Sequence, residues 1–204
     1  MGNDLHSGHR LRIKERFLAD GLDGFEPHNV LELLLFYALP RVDTNEIAHR
    51  PINRVGSLPE VFDAPYEELC KVKGVSEHAA TLLKLIPELS RVYSTGRDTD
   101  AVLLDSSRKI GEFLVKRFIG RTKECVYLLC LDHALKLIHC GILAEGSVDS
   151  ANVDIKSIVE RALRHNAARV LLAHNHPRGL AVPSNEDVLI TREIKRGLAY
   201  LDIE

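Results

Sequence analysis

The chain lacks the features that mark several large classes of protein. Its four cysteines form no Cys-x-x-Cys pair, and a chain of 204 residues is large enough to fold without a disulfide framework. Its longest apolar run, at 33–39, is far too short to span a bilayer. The first ten residues are polar and no small-residue cleavage pattern follows, so no signal peptide is predicted. These absences favour a cytoplasmic protein with reduced thiols and no membrane association.

An excess of charge of one sign is also lacking. The net charge is −2 at pH 7, from 27 Lys and Arg against 29 Asp and Glu. The first hundred residues carry 12 basic and 16 acidic side chains, which leaves 15 and 13 for the remainder. Neither half is therefore a basic module that its overall field would draw to nucleic acid.

Two regions with different hydrophobic periods follow one another along the chain. In the first, helices are predicted at 30–39 after a cap at Asn29, from about Thr44, at 65–70, and at 77–93 after a cap at Ser76. After a polar linker at 94–100, helices are predicted at 107–118, 155–166 and 184–200, and strands at 124–132, 135–144 and 169–173. We predict an α/β (α+β) chain, with a helical domain at 1–97 and a mixed sheet with flanking helices at 101–204.

The segment 174–177, His-Asn-His-Pro, ends one of these strands and is the most informative part of the sequence. Residues i and i+2 of an extended chain point to the same face, so His174 and His176 can reach one metal ion. Ser184 and Asp187 open the next helix and can bring a carboxylate back to the same place. On their own, the histidines are more typical of a solvated loop, and Ser184 with Asp187 is more typical of a capping box that has no catalytic role. The capping box and the metal ligand are compatible interpretations.

The pattern His174-x-His176-x7-Ser184-x-x-Asp187 resembles the signature of the JAMM (JAB1/MPN) metalloproteases. Within that superfamily the sequence is most similar to the RadC family (UPF0758), through the segments NAARVLLAHNHP and PSNED. The similarity extends over nearly the whole chain. It implies a JAMM/MPN-like (cytidine-deaminase-like) fold for residues 101–204. It also implies that His174, His176 and Asp187 ligate Zn²⁺, and that Ser184 orients the reacting carbonyl or stabilises its developing negative charge.

The resemblance further implies a glutamate general base on an earlier strand, and Glu124 matches that position. Without the resemblance to the family, Glu124 would be interpreted as a surface residue at a strand edge. Glu145 is a rival candidate for the general base. We favour Glu124 because its register with the strand matches the family. The implied activity is zinc-dependent hydrolysis of a peptide or isopeptide bond through a metal-activated water, in which the glutamate takes up and returns the proton.

Three differences from the family pattern bear on this activity. Arg178 and Leu180 stand where the family usually has Ser and Asp, next to the metal. Ser147 replaces a threonine after the second strand. The family continues past the last helix into closing strands, whereas this sequence stops at 201–204. We therefore expect a sheet short of its C-terminal strands, and a site in which substrate access differs from the family.

Residues 69–80 resemble a helix-hairpin-helix element, in which backbone N–H groups at a helix start meet a phosphate. Here Lys71, Lys73 and Gly74 are candidate nucleic-acid contacts, although Ser76 replaces the second glycine of the motif and Glu77 adds an opposing charge. A hairpin used only for packing is the alternative. The family's traditional link to DNA repair adds a second functional hypothesis: a nucleic-acid-binding protein whose metal site is structural or inactive. Neither the substrate nor the oligomeric state has a signal in the sequence.

Overall fold

The computed structural model describes residues 3–98, 102–146, 154–177 and 179–204 and divides into two compact units, Met1–Ser90 and Arg91–Glu204. The helices of the first unit are α1 Asn3–Asp20, α2 Pro27–Ala38, α3 Asn45–Val55, α4 Leu58–Asp63, α5 Tyr66–Cys70 and most of α6 Glu77–Thr95. The second contains α7 Ser107–Phe118, β1 Cys125–Leu131, β2 Leu137–Glu145, α8 Ile155–Arg164, β3 Arg169–His174 and α9 Asn185–Ala199. The predicted fold class, a helical region followed by an α+β region, is confirmed.

Apolar side chains from α2 to α6 form the core of the first unit. The main members are Leu31, Leu35, Ile47, Ala48, Val61, Leu69, Val72, Val75, Ala79, Ala80 and Leu83. Ser76 caps α6 as predicted, because its Oγ accepts a hydrogen bond from Ala79 N at 3.2 Å. The predicted cap of α2 is wrong: the helix begins at Pro27, which suits the first turn, and Asn29 lies inside it.

The sheet of the second unit has the order β2-β1-β3 among the described residues, and both pairings are antiparallel. Every residue of β1 is buried because helices cover both faces. Leu128 and Cys130 pack with residues of α8 and α9, whereas Cys125 and Leu129 pack with residues of α7. The two cysteines of β1 therefore face opposite sides, as the period-2 geometry of a strand predicts.

The outer edge of β3 carries a parallel contact. Val170 N donates to Glu204 O at 2.8 Å, and Glu204 N donates to Ala168 O at 3.1 Å. In a parallel pair, a residue on one strand bonds to the two residues that flank its partner, and Glu204 bonds in this way to the two residues that flank Arg169. An ion pair at 2.6 Å between Arg169 Nε and Glu204 Oε2 lies beside it. The prediction of a mixed sheet is wrong for the described strands, since both pairings of the sheet are antiparallel and the only parallel bonds described on this edge of β3 are those of Glu204. Within the described ranges, no helix is long and apolar enough to cross a membrane.

Candidate metal centre

The end of β3 fixes the positions of the two histidines. His174 lies directly opposite Val126 in the β1–β3 ladder, as Leu172 lies opposite Leu128. Directly opposite residues share a face of the sheet, so His174 lies on the face that α8 and α9 cover. His176 follows two residues later, and its Nε2 atom is 2.9 Å from Nε2 of His174.

The first turn of α9 supplies the carboxylate. Ser184 and Asp187 form the predicted capping box: Asp187 N donates to Ser184 Oγ at 3.1 Å, and Ser184 N donates to Asp187 Oδ2 at 2.7 Å. This pair of bonds holds the aspartate side chain against the helix start. Its Oδ2 atom lies 3.5 Å from His174 Nε2.

The ligand atoms of His174, His176 and Asp187 all lie within 4.8 Å of one another. In a tetrahedral zinc site with bonds of about 2.0–2.1 Å, neighbouring ligand atoms are about 3.3 Å apart. The measured separations of 2.9 and 3.5 Å are close to that spacing. Two imidazoles and one carboxylate therefore fit a zinc ion in both chemistry and distance. No other His, Cys, Asp and Glu residues form such a group of three or more in the part of the chain that the structure describes.

The charge state of Asp187 also suits a cation. Partial burial raises the pKa of this carboxyl, but hydrogen bonds from the Ser184 backbone and hydroxyl and the nearby charges of His174 and His176 outweigh it. The net effect is a pKa of Asp187 below its ordinary value. The carboxylate is consequently ionised at neutral pH, as a metal ligand must be.

Two clefts meet at this group. A cavity of about 590 Å³ lies on one side, with walls formed largely by apolar side chains: Val126, Leu172, Val188, Ile190 and Ile194. A shallower cleft of about 280 Å³ contains Thr122, Pro177 and Gly179. Glu124 and His176 line both clefts. Sequence reasoning assigned none of these apolar residues to the site, although Val126 can be deduced once the β1–β3 register is known.

Glu124 immediately precedes β1, and its Oε1 atom lies 3.9 Å from His176 Nδ1. This is an ion-pair distance rather than a hydrogen bond. Glu145 lies opposite Cys125 at the end of β2, where its Oε1 atom is 3.5 Å from the Arg121 guanidinium. Of the two candidate bases, Glu124 is the one that shares the clefts with the histidines.

Comparison with known proteins is consistent with this geometry. Residues 104–204 match the family described as RadC-like JAB domain. A UPF0758 protein of Fusobacterium nucleatum is 34% identical over 200 residues, which cover 95% of this chain and 86% of that protein. The chain belongs to the RadC family. UPF0758 proteins of Pseudoalteromonas translucida and Vibrio atlanticus are 32% and 33% identical over 192 residues, covering 94% and 93% of this chain and 86% and 85% of theirs.

The structure describes two further residues that the resemblance to the RadC family singled out, Ser184 and Leu180. The hydroxyl of Ser184, expected at the reacting carbonyl, donates to Asp187 Oδ2 at 2.8 Å. Leu180 lies in the loop between β3 and α9 with 82% of its surface exposed. The other two substitutions relative to the RadC pattern, Arg178 and Ser147, lie outside the described residues.

The hairpin of this RadC protein lies between α5 and α6. Gly74 has a φ of +91°, and a Cβ there would come within 2.9 Å of Ile47 Cγ1, so glycine is required for packing. Lys71 Nζ is held by Glu68 Oε1 at 2.5 Å, and Arg50 Nη1 donates to the carbonyl of Lys73 at 2.8 Å. The packing function is evident, and nucleic-acid contact by Lys71, Lys73 and Gly74 stays a prediction.

Proposed function

We propose that this RadC-family protein is a zinc-dependent metallopeptidase that hydrolyses a peptide or isopeptide bond. One observation carries the proposal: His174, His176 and Asp187 converge at a cavity that Glu124 also lines. Three protein ligands of this type leave one position of a tetrahedral zinc site open for a reactant. When bound, zinc acts as a Lewis acid and lowers the pKa of a coordinated water to about 7.

The surrounding side chains supply the remaining chemistry. Glu124, whose side chain is 41% exposed, takes the proton from the attacking water and passes it to the leaving amine. Ser184 donates its hydroxyl proton to Asp187 in the resting site and can turn it toward the oxygen that gains charge. The two clefts give a bond cleaved beside Glu124 room for chain on both sides, which supports a peptide or protein substrate.

A comparison of three variants tests the proposal. We expect the wild-type protein to bind one zinc per chain and to cleave peptides from a diverse library. The double variant His174→Ala, His176→Ala should lose the zinc. Glu124→Gln should retain zinc and lose turnover by about 10²–10⁴-fold. Glu145→Gln is the matched control, because Glu145 pairs with Arg121, and it should retain both properties.

Two results would contradict the proposal. Zinc content that is unchanged in the double histidine variant would rule out the ligand assignment. Turnover that is unchanged in Glu124→Gln would rule out Glu124 as the base. The alternative, a nucleic-acid-binding protein with a structural metal, predicts a different set of results. The double histidine variant would lose zinc, but the wild-type protein would have no turnover, so Glu124→Gln would change nothing.

A further inference from the structure

Asn175 stands between the two histidines, and its side chain makes three hydrogen bonds to the backbone of the segment that leads into β1. Its Oδ1 atom accepts from Cys125 N at 2.7 Å. Its Nδ2 atom donates to the carbonyl of Lys123 at 3.1 Å and to that of Arg121 at 3.2 Å. One side chain thus satisfies three backbone groups that are 50 to 54 residues away in sequence.

Two of these contacts lie on either side of Glu124 along the backbone. The Lys123 carbonyl belongs to the peptide unit before Glu124, and the Cys125 N–H belongs to the unit after it. Fixing both peptide units fixes the φ and ψ of Glu124 and leaves only the rotation of its side chain. The peptide unit after Glu124 is also held from the β2 side, because the Glu124 carbonyl accepts from Gly146 N at 2.9 Å. We propose that Asn175 is a positioning residue that holds Glu124 from the β3 side, an inference that rests on the proposed function.

The backbone ladder explains why a side chain is needed here. The β1–β3 pairing runs from Leu131 opposite Arg169 to Val126 opposite His174, where it ends. Asn175 continues the connection beyond that point through its amide. The histidines and Glu124 therefore belong to one hydrogen-bonded unit, although they come from different strands. A small displacement of Glu124 should lower the catalytic rate strongly, because a shift of about 1 Å at a catalytic group can reduce the rate about 10²-fold.

The proposal separates Asn175 from the metal ligands. We expect His174, which the β1–β3 pairing holds, and His176 to keep their positions when Asn175 is changed, so zinc should stay bound. Asn175→Ala removes all three hydrogen bonds. Asn175→Asp retains an acceptor for Cys125 N but sets an oxygen against the carbonyls of Arg121 and Lys123, so it should behave like the alanine variant. Asp132→Ala is the matched control, since it removes side chain-to-backbone bonds, to Ala134 N and Lys136 N at 2.8 Å, just beyond the other end of β1.

Kinetics provide the first test. Both Asn175 variants should bind one zinc per chain and lower kcat by about 10²-fold with KM within about threefold, whereas Asp132→Ala should be unchanged. Combined with Glu124→Gln, Asn175→Ala should cause no additional loss, because both changes remove the same contribution. Losses that multiply in the double variant would overturn the positioning role.

Limited digestion of the metal-free proteins with trypsin provides a test that needs no turnover. Trypsin cleaves after Arg121 and Lys123, whose carbonyls Asn175 holds. We expect these two sites to be cleaved at least several-fold faster in both Asn175 variants than in the wild type and in Asp132→Ala. Equal rates would overturn the proposal. If the wild-type protein hydrolyses no peptide, the proposed function fails, and the trypsin rates still decide whether Asn175 holds the Glu124 segment.

Discussion

Ser184 and Asp187 are joined by three hydrogen bonds, and the Asp187 oxygen that accepts two of them lies 3.5 Å from His174 Nε2. A helix cap and a candidate metal ligand therefore share one carboxylate oxygen. The cap fixes the rotamer of Asp187, and its two donors lower the pKa of this carboxyl. The start of α9 is thus linked to the ligand geometry of the site.

We expect Ser184→Ala to weaken zinc binding about 10–100-fold, since Asp187 loses a partner that orients it. The free energy of unfolding of the metal-free protein should fall by about 1 kcal/mol with the lost cap. Ser184→Thr retains the hydroxyl and is the control. Zinc titration against a competing chelator and urea unfolding measure the two effects. Unchanged zinc affinity with a turnover about 10²–10³-fold lower would instead assign the hydroxyl to the developing oxyanion.

The central strand should be the least tolerant part of the second unit. Leu128 is fully buried in the cluster that α8 and α9 form with the sheet. Leu128→Ala should lower the free energy of unfolding by about 2–5 kcal/mol, because it leaves a cavity. Leu163, on α8, has 52% of its surface exposed, and Leu163→Ala should change stability by less than about 0.5 kcal/mol. Similar urea midpoints for the two variants would contradict this description of the core.

His139 and His165 stack with their ring centroids 4.0 Å apart. Burial, followed by the positive charges of His165 and Arg161, lowers the pKa of His139 below its ordinary value. As the pH falls below about 6.5, the unfolded chain gains a proton at this position before the folded protein does, so stability decreases until the folded pKa is passed. His139→Gln should remove this part of the pH dependence. Urea unfolding between about pH 5 and pH 8 measures it, and an identical pH dependence in the variant would refute the assignment.

If the hairpin between α5 and α6 binds DNA, the affinity should fall steeply with added salt. We expect Lys73→Ala to reduce the slope of log affinity against log salt by about one. Lys71→Ala should have a smaller effect, because Glu68 already pairs with this ammonium group. Fluorescence anisotropy with a labelled duplex measures both slopes. An absence of binding at low salt would leave Gly74 with its packing function alone.

Local signals predicted many elements well. The helix at 107–118 has the bounds of α7, and its Ser106 cap accepts from Lys109 N at 3.4 Å. The buried strand at 124–132 differs from β1 by one residue at each end. The predicted start of α2 was wrong because both Asn29, as a cap, and Pro27, as a first-turn residue, are typical of a helix start, and the helix begins at Pro27. Fully buried Glu32 could not be foreseen, since its partners His9, at 3.0 Å, and Asn45, at 3.4 Å, come from two other helices.

The sequence by itself determined the parts of the site that depend on neighbouring residues. The two-residue period of a strand aligns His174 with His176, and hydrogen bonds over three residues make Ser184 and Asp187 a helix start. Only the tertiary structure shows which glutamate lies beside the histidines and what Asn175 contacts. The β1–β3 register brings Glu124 beside His176, whereas Glu145 lies near Arg121. The contacts of Glu124 with His176 and of Asn175 with the segment before β1 join residues about fifty apart in sequence, and they depend on register and packing that no local pattern encodes.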